Sequence, residues 1–274
     1  MTPALRCGPH RLSLDRPRVM GILNVTPDSF SDGGRHQAFA PALAHARRML
    51  ADGADIVDIG GESTRPGAGA VPEEIELQRV IPLVEALARE GAIVSVDTMK
   101  AGVMHAAIAA GAAMINDVRA LSAPGTMDVV AASDAAVCLM HMQGTPQTMQ
   151  DDPQYEDVVA EVADYLATRA KACEAAGIAH ERIAVDPGFG FGKTVAHNLA
   201  LLRALPALAG AGFPVVAGLS RKATLGVLTG RPAGDRMAAS IAAALAAVAH
   251  GAAIVRVHDV RETVDALAVW RAFH

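Results

Sequence analysis

The sequence predicts a single α/β barrel in which eight parallel strands alternate with helices. Short, continuous apolar runs recur along the whole chain, and longer segments with helical periodicity separate them. Continuous rather than alternating apolarity indicates strands that are buried on both faces, as in a parallel sheet. Eight such units in a chain of 274 residues fit a (β/α)8 barrel, which typically takes about 250 residues.

The strands are expected at eight apolar runs. In chain order these runs are Val19–Asn24, Asp55–Gly60, Ile93–Asp97, Met114–Asp117, Val137–Met140, Ile183–Asp186, Val215–Gly218 and Ile254–Val257. The clearest helical segments between them are Pro41–Ala51, Glu73–Arg89, Tyr155–Ala176 and Arg236–His250. A glycine is expected just past the end of a helix. Such glycines are Gly53, Gly91, Gly111, Gly177 and Gly251.

We assign residues 18–274 to the barrel domain and residues 1–17 to an N-terminal extension, because no linker or low-complexity tract divides the chain. Within this strand or hairpin extension, Leu12–Leu14 is expected to form a small strand that closes the bottom of the barrel. An open, doubly wound sheet is the alternative architecture. Its glycine-rich nucleotide fingerprint does not follow the first predicted strand.

Composition excludes several classes of function. Half of the residues are apolar, which is enough for a large core, and the net charge of −5 gives no reason to expect nucleic-acid or membrane binding. The three cysteines have no metal-ligand spacing and indicate reduced thiols. Residues 1–17 lack the apolar centre of a signal peptide. We therefore expect a soluble, cytoplasmic protein.

Polar side chains stand where the predicted strands end. In a barrel these carboxyl-terminal ends form the mouth of the active site. The residues there are Asn24, Asp58, Asp97, Asn116 with Asp117, Met140 with His141, Asp186, Ser220–Lys222 and Arg256 with His258. A lone aspartate at such a position often only caps the next helix. Eight convergent ends instead predict a site for a polar ligand.

The polar groups at this mouth sort into two sets by charge. The set that suits a phosphate or carboxylate is cationic or can become so by protonation, and it comprises Arg65, Lys222, Arg256 and His258. The set that suits a flat heterocycle with several N–H donors comprises Asp97, Asn116 and Asp186. The sequence therefore predicts a ligand with an anionic part and a heterocyclic part.

Oxygen ligands for a metal stand at the first strand and in the loop after it. Asn24 together with Asp28 or Asp32 suits Mg²⁺ that already bridges phosphate oxygens. The sequence has no histidine and cysteine cluster for zinc and no Gly-x-Ser-x-Gly elbow of a hydrolase. The glycine-rich segment Asp186–Lys193 lacks the spacing of a phosphate-binding P-loop.

Eight motifs, in a fixed order, are spread over nearly all of residues 18–260. They are Met20–Gly34, Asp58–Gly67, Ser95–Thr98, Ile115–Val118, His141–Pro146, Asp186–Lys193, Gly218–Lys222 and Arg256–Asp259. Together they resemble the dihydropteroate synthases, enzymes of the folate pathway within the pterin-binding barrel superfamily. The resemblance implies condensation of (7,8-dihydropterin-6-yl)methyl diphosphate with 4-aminobenzoate, which yields 7,8-dihydropteroate and diphosphate.

The resemblance also implies how the dihydropterin diphosphate is bound. Mg²⁺ held by Asn24 and Asp32, with Arg256 and His258 alongside, would neutralise charge on the leaving diphosphate. Asp97 would stabilise positive charge on the methylene group. The polar edge and one face of the ring would be held by Asn116, Asp186, Lys222 and Met140.

A second pocket is implied for 4-aminobenzoate. Its walls would be Phe30, Pro66 and Phe191, and Thr64 and Arg65 would complete it when two loops close. The carboxylate would lie near Ser220, at the start of a short helix. Arg221 either contacts this substrate or forms a salt bridge. We interpret Asp58 and Glu62 as partners of site residues or anchors of loops.

Three other functions fit the sequence less well. A methyltetrahydrofolate:corrinoid methyltransferase has no use for a diphosphate site, and a non-catalytic pterin-binding homologue would not keep Asn24, Asp32, Thr64 and Arg65 together. A sugar-phosphate isomerase or aldolase would need a Schiff-base lysine or an opposed glutamate and histidine. The resemblance further implies a homodimer, through helix Met237–Ala249 or the last helix, and competition of sulfonamides with 4-aminobenzoate.

Overall fold

The computed structural model describes residues 3–25, 35–64 and 67–273, and it confirms the (β/α)8 barrel. An N-terminal hairpin comprises β1 (Ala4–Cys7) and β2 (His10–Ser13). The barrel strands are β3 (Arg18–Asn24), β4 (Ile56–Gly60), β5 (Val94–Asp97), β6 (Met114–Asp117), β7 (Ala136–Met140), β8 (Ile183–Asp186), β9 (Val216–Ala217) and β10 (Ile254–Val257). The helices are α1 (Arg35–Ala51), α2 (Glu73–Arg89), α3 (Ala101–Ala109), α4 (Thr126–Ala131), α5 (Val158–Ala175), α6 (Val195–Ala209), α7 (Ala223–Thr229), α8 (Met237–Ala249) and α9 (Val260–Phe273).

The strands from β3 to β8 pair with their neighbours in chain order, and β10 joins β9 to β3. A bridge between Val185 and Val215 closes the ring between β8 and β9. Every pairing within the barrel is parallel, so all the carboxyl-terminal ends meet at one mouth. The register places Asn24 beside Gly60, Gly60 beside Asp97 and Asp97 beside Asn116. Three predicted site residues therefore lie at one level of the barrel.

The hairpin fills the opposite end of the barrel. Leu5, Cys7 and Leu12 are buried there in one cluster with side chains that project inward from the strands. Gly8 N also donates to Asp134 O at 3.0 Å, which fastens the hairpin turn beneath the barrel. The short strand expected at Leu12–Leu14 is thus part of a hairpin that plugs the bottom. The domain boundary at residue 17 stays a prediction.

Most element boundaries agree with the sequence prediction within a few residues, and the five expected glycines all have positive φ. Helix α1 begins at Arg35 rather than Pro41, so Pro41 lies inside the helix and does not mark its start. Helix α5 begins at Val158 because the Asp157 carboxylate caps it by accepting from Val159 N and Ala160 N. Strand β9 is shorter than expected.

Among the helices in the described part of the chain, none combines the length and apolarity that a membrane crossing requires.

Replacing Leu5 with alanine is expected to lower the free energy of unfolding by about 2–5 kcal/mol, because a fully buried side chain leaves a cavity. Arg11→Ala changes an exposed side chain of the same hairpin and is expected to stay within about 0.5 kcal/mol. Urea unfolding followed by circular dichroism measures both. Equal effects of the two changes would contradict the hairpin's role as a plug.

Candidate active site

A cavity of about 790 Å³ opens at the carboxyl-terminal ends of the strands. Asn24 and Asp97 reach it from the ends of β3 and β5, and Arg256 reaches it from β10. The predicted site residues that line it are Asn24, Thr64, Asp97, Phe191, Ser220, Lys222, Arg256 and His258. The structure therefore brings the two charge sets of the sequence prediction into one space.

A buried ion cluster forms the base of this cavity. Arg256 Nε donates to Asp58 Oδ2 at 2.6 Å, and Arg256 Nη2 donates to Asp97 Oδ2 at 2.8 Å. Asn116 Nδ2 donates to the same Asp58 oxygen at 3.1 Å. Asp58 is thus a partner of two site residues, as the sequence prediction had it. The guanidinium needs both carboxylates because a buried charge is stable only when it is paired.

Each of these two carboxylates has one oxygen that does not take part in the ion cluster. Within the described residues, Asp97 Oδ1 and Asp58 Oδ1 are buried and accept no hydrogen bond. A buried acceptor left in this state costs about 1–3 kcal/mol. Asp97 borders the cavity, so a ligand N–H group can satisfy its Oδ1.

The pKa values of Asp97, Lys222 and Arg256 differ from the ordinary values of these groups. Burial raises the pKa of Asp97 to about 7, although Arg256 acts in the opposite direction. It lowers the pKa of Lys222 to about 7, although Asp186 favours the charged amine. The pKa of Arg256 is raised, because Asp58 and Asp97 outweigh the effect of burial. Arg256 therefore stays charged, while Asp97 and Lys222 titrate near neutrality.

The ends of β9 and β10 are joined through a serine and a histidine. Ser220 Oγ lies 3.0 Å from His258 Nδ1 and also accepts from His258 N at 3.2 Å. Lys222 follows two residues later, where its Nζ donates to Phe189 O and lies 4.0 Å from the centre of the Phe191 ring. A hydroxyl, an imidazole and an amine thus gather at one side of the cavity.

Three predicted residues lie beneath the lining rather than on it. Asn116 is the penultimate residue of β6, Met140 and Asp186 end β7 and β8, and each is at most 5% exposed. Asp186 Oδ1 accepts from Gly188 N at 2.7 Å, and burial raises the pKa of this carboxyl. Their side chains belong to the same layer of strand ends as Asp97 and Arg256.

The loop after β8 forms a wall that holds Phe191. Lys193 Nζ lies 2.9 Å from His141 Nδ1 and donates to Phe191 O at 2.9 Å. Burial, and then the Lys193 charge, lowers the pKa of His141 to about 3, so the imidazole is neutral. At Gly188, with φ of +69°, an added Cβ would lie 1.9 Å from His141 O. Only glycine allows the two loops to pack this closely.

The loop after β4 carries Thr64 to the cavity and is anchored by Glu62. The Glu62 carboxylate accepts from Lys100 Nζ and from Val71 N, and Lys100 also bonds the buried Glu76. Arg79 Nη1 donates to Gly61 O at 2.7 Å in the same region. Glu62 is therefore the loop anchor that the sequence suggested.

Sequence reasoning missed several residues of the cavity. Ile22 lies two positions before Asn24 on the same face of β3, so strand periodicity signalled it. Lys193 ends a glycine-rich motif but received no role. Met149 and Gln150 come from the loop after β7, and Gln150 Nε2 donates to Gly190 O at 2.6 Å. No motif distinguishes these last two residues.

Five predicted residues lie outside the described residues: Asp28, Phe30, Asp32, Arg65 and Pro66. The predicted metal site is therefore represented by Asn24 alone, which borders the cavity at the end of β3. In the described part of the chain, no three histidine, cysteine or acidic side chains are grouped so that they would hold a metal ion.

Comparison with known proteins agrees with this geometry. The family model for pterin binding enzymes matches residues 20–258. The chain is 54% identical to the dihydropteroate synthase of Neisseria meningitidis serogroup B, over 97% of this chain and 96% of that protein.

Solved structures superpose closely on the whole fold. The dihydropteroate synthase of Xanthomonas albilineans with 4-aminobenzoic acid has a TM-score of 0.94 and 56% identity, over 100% of this chain and 98% of that one. The Burkholderia cenocepacia dihydropteroate synthase complexed with 7,8-dihydropteroate has a TM-score of 0.91 and 54% identity, over 100% and 97%. The chain therefore belongs to the pterin-binding enzyme family and, within it, to the dihydropteroate synthases.

Proposed function

We propose that this cavity condenses (7,8-dihydropterin-6-yl)methyl diphosphate with 4-aminobenzoate to give 7,8-dihydropteroate and diphosphate. The observation that carries the proposal is the ion cluster of Arg256, Asp58 and Asp97. It offers acceptor oxygens for a heterocycle at the base of the cavity and lies below cationic groups at the rim. A transferase of this kind needs both features, because its substrate joins a hydrogen-bonding ring to a diphosphate.

The pterin ring is assigned to the base of the cavity. Asp97 Oδ1 is buried without a partner among the described residues, so an N–H group of the ring supplies what this oxygen lacks. Asn116 and Asp186 lie in the neighbouring strand ends and provide further polar contacts to the ring edge. Met140, which is buried at the end of β7, packs beneath one face.

The diphosphate is assigned to the rim near Asn24, Lys222 and His258, which line one cavity with Arg256. Arg256 already uses Nε and Nη2 on carboxylates, so its charge also balances Asp58 and Asp97. Lys222 and His258 therefore carry more of the anion binding than the sequence alone suggested.

Asn24 fits a Mg²⁺ ion that a diphosphate brings into the site. Its amide oxygen is a hard ligand at the cavity edge, and Mg²⁺ usually takes only one or two protein ligands beside phosphate oxygens and water. The predicted second ligand is Asp32. When bound, the metal would lower the negative charge that develops on the leaving diphosphate.

4-Aminobenzoate is assigned to the space between Phe191, Ser220 and Thr64, all of which line the cavity. Phe191 offers an apolar face, and the loop contacts of Lys193 hold that residue in place. The Ser220 hydroxyl suits the carboxylate. Phe30, Pro66 and Arg65 complete this pocket in the proposal. Sulfonamides that mimic 4-aminobenzoate are expected to compete for the same space.

The chemical step exchanges one bond to the methylene carbon for another. The nitrogen lone pair of 4-aminobenzoate forms the new C–N bond, and the C–O bond breaks with its electron pair on the leaving diphosphate. The arylamine nitrogen then gives one proton to the released diphosphate. Asp97 stabilises positive charge that builds on the pterin methylene, and Lys222 stabilises negative charge on the leaving oxygens. An arylamine is nucleophilic when neutral, so the site needs no strong base.

We also propose that the protein is a homodimer. Apolar side chains are exposed on the last helices of the barrel, including Val269 at 59% and Phe273 at 81% on α9, and Met237 at 43% on α8. A second copy would cover such a surface. The cytoplasmic location stays a prediction.

Diphosphate release is expected only when both substrates and Mg²⁺ are present, with one 7,8-dihydropteroate formed for each diphosphate. A coupled phosphate assay and chromatography of the product measure the two yields. Omission of 4-aminobenzoate is the critical control, because a hydrolase would still release diphosphate. Release that continues without 4-aminobenzoate would contradict the proposed condensation.

Asp97→Asn is expected to lower kcat by about 100-fold or more, because the neutral amide no longer stabilises positive charge in the transition state. Asp128→Asn, at an exposed position of α4, is the matched control and is expected to keep the wild-type rate. Steady-state kinetics with saturating substrates measures both. Full activity of Asp97→Asn would contradict the role assigned to this carboxylate.

The pH profile of kcat/KM for the pterin diphosphate is expected to be bell-shaped around pH 7. Activity falls below this pH as Asp97 is protonated, and it falls above this pH as Lys222 loses its proton, because burial moves both pKa values to about 7.

Lys222→Arg separates the enzyme's alkaline limb from titration of the substrate, since a guanidinium keeps its proton throughout. The variant is expected to lose the alkaline limb and to keep the acid limb. An alkaline limb that is unchanged in Lys222→Arg would show that another group titrates.

A further inference from the structure

The turn that follows β9 contains a residue with left-handed backbone that is not glycine. Arg221 has φ of +58°. This conformation is unfavourable for a residue with a Cβ and persists only where surrounding contacts hold it. The contacts of Arg221 are therefore informative about what the turn does.

Helix α8 holds the backbone of this turn. Arg221 N donates to Ser240 Oγ at 2.9 Å, and Ser240 is buried. Arg236 Nη1 donates to Arg221 O at 3.1 Å and to Lys222 O at 3.3 Å. Both sides of the left-handed residue are thus fixed by Ser240 of α8 and by Arg236, the residue just before α8.

The side chain of Arg221 is also engaged within the fold. Its Nε donates to Asp259 Oδ2 at 3.2 Å, and its Nη2 bonds the other oxygen of the same carboxylate. Asp259 follows His258 directly, so this ion pair ties the turn after β9 to the end of β10. It lies beside the contact between Ser220 and His258.

A second turn of the barrel is built in the same way. Among the described residues, the other non-glycine residues with positive φ are Ala120 and Leu121, after β6. Their carbonyl oxygens each accept from Arg169 of α5 at 2.8 Å. In both turns an arginine from later in the chain, Arg169 of α5 or Arg236 just before α8, donates to the carbonyl oxygens.

We propose that Arg221 is a positioning residue whose left-handed turn, fixed by Ser240 and Asp259, directs the neighbouring Ser220 and Lys222 into the cavity. Ser220 and Lys222 flank the turn and both line the cavity. With a right-handed backbone conformation at this position, the chain would run in a different direction between Ser220 and Lys222. This inference rests on the proposed function only because its test measures the rate of the proposed condensation.

The test compares glycine with alanine at position 221 in a protein whose clamp is weakened by Ser240→Ala. Both double variants lack the arginine side chain and the serine hydroxyl, and they differ in one Cβ. Glycine adopts the left-handed turn without strain, so kcat/KM of Arg221→Gly/Ser240→Ala is expected to exceed that of Arg221→Ala/Ser240→Ala by about fivefold or more. Circular dichroism verifies that both are folded.

Equal kcat/KM values for the two double variants would overturn the inference, because a guanidinium that contacts substrate is lost equally from both. If Ser240→Ala does not fold, the single variants Arg221→Gly and Arg221→Ala carry the same comparison, and their equality has the same meaning. The wild-type enzyme tests the proposed function separately. A wild-type protein without condensation activity rejects that function, and hydrogen exchange at the Lys222 amide then compares the variants instead, with faster exchange expected for alanine.

Discussion

The pairing of Arg256 with Asp58 and Asp97 is the interaction on which the rest of the site depends. A guanidinium at the base of a barrel is stable only if carboxylates neutralise it, and two carboxylates beside one arginine leave acceptor oxygens for a ligand. The cluster therefore creates a polar floor in an apolar barrel. Burial at this floor raises the pKa of Asp97 to about 7, although Arg256 acts in the opposite direction, and this couples binding to pH.

The barrel supplies the geometry that this cluster needs. Parallel register aligns Asn24, Asp97 and Asn116 at one level, and the hairpin closes the opposite end with apolar side chains. The loops then set the rim: Glu62 anchors one of them, and Lys193 holds the wall that carries Phe191. These two loops of the cavity are thus positioned by contacts outside it.

The fold and the polar lining at the strand ends were predictable from the sequence, because continuous apolar runs specify parallel strands and polar residues end them. The motif order also indicated the family. The pairing of Asp58 with Arg256 was not predictable in detail, since these residues are 198 positions apart and meet only when the barrel closes. Likewise, nothing local to Lys193 or Arg221 reveals that His141 and Asp259 are their partners.

The most direct test of the central claim is a crystal structure of the enzyme with the bound dihydropterin diphosphate. We expect a ring N–H group within about 3.2 Å of Asp97 Oδ1 while Arg256 remains bonded to both carboxylates. A ring bound elsewhere in the cavity, with Asp97 Oδ1 still lacking a hydrogen bond from the ligand, would contradict it.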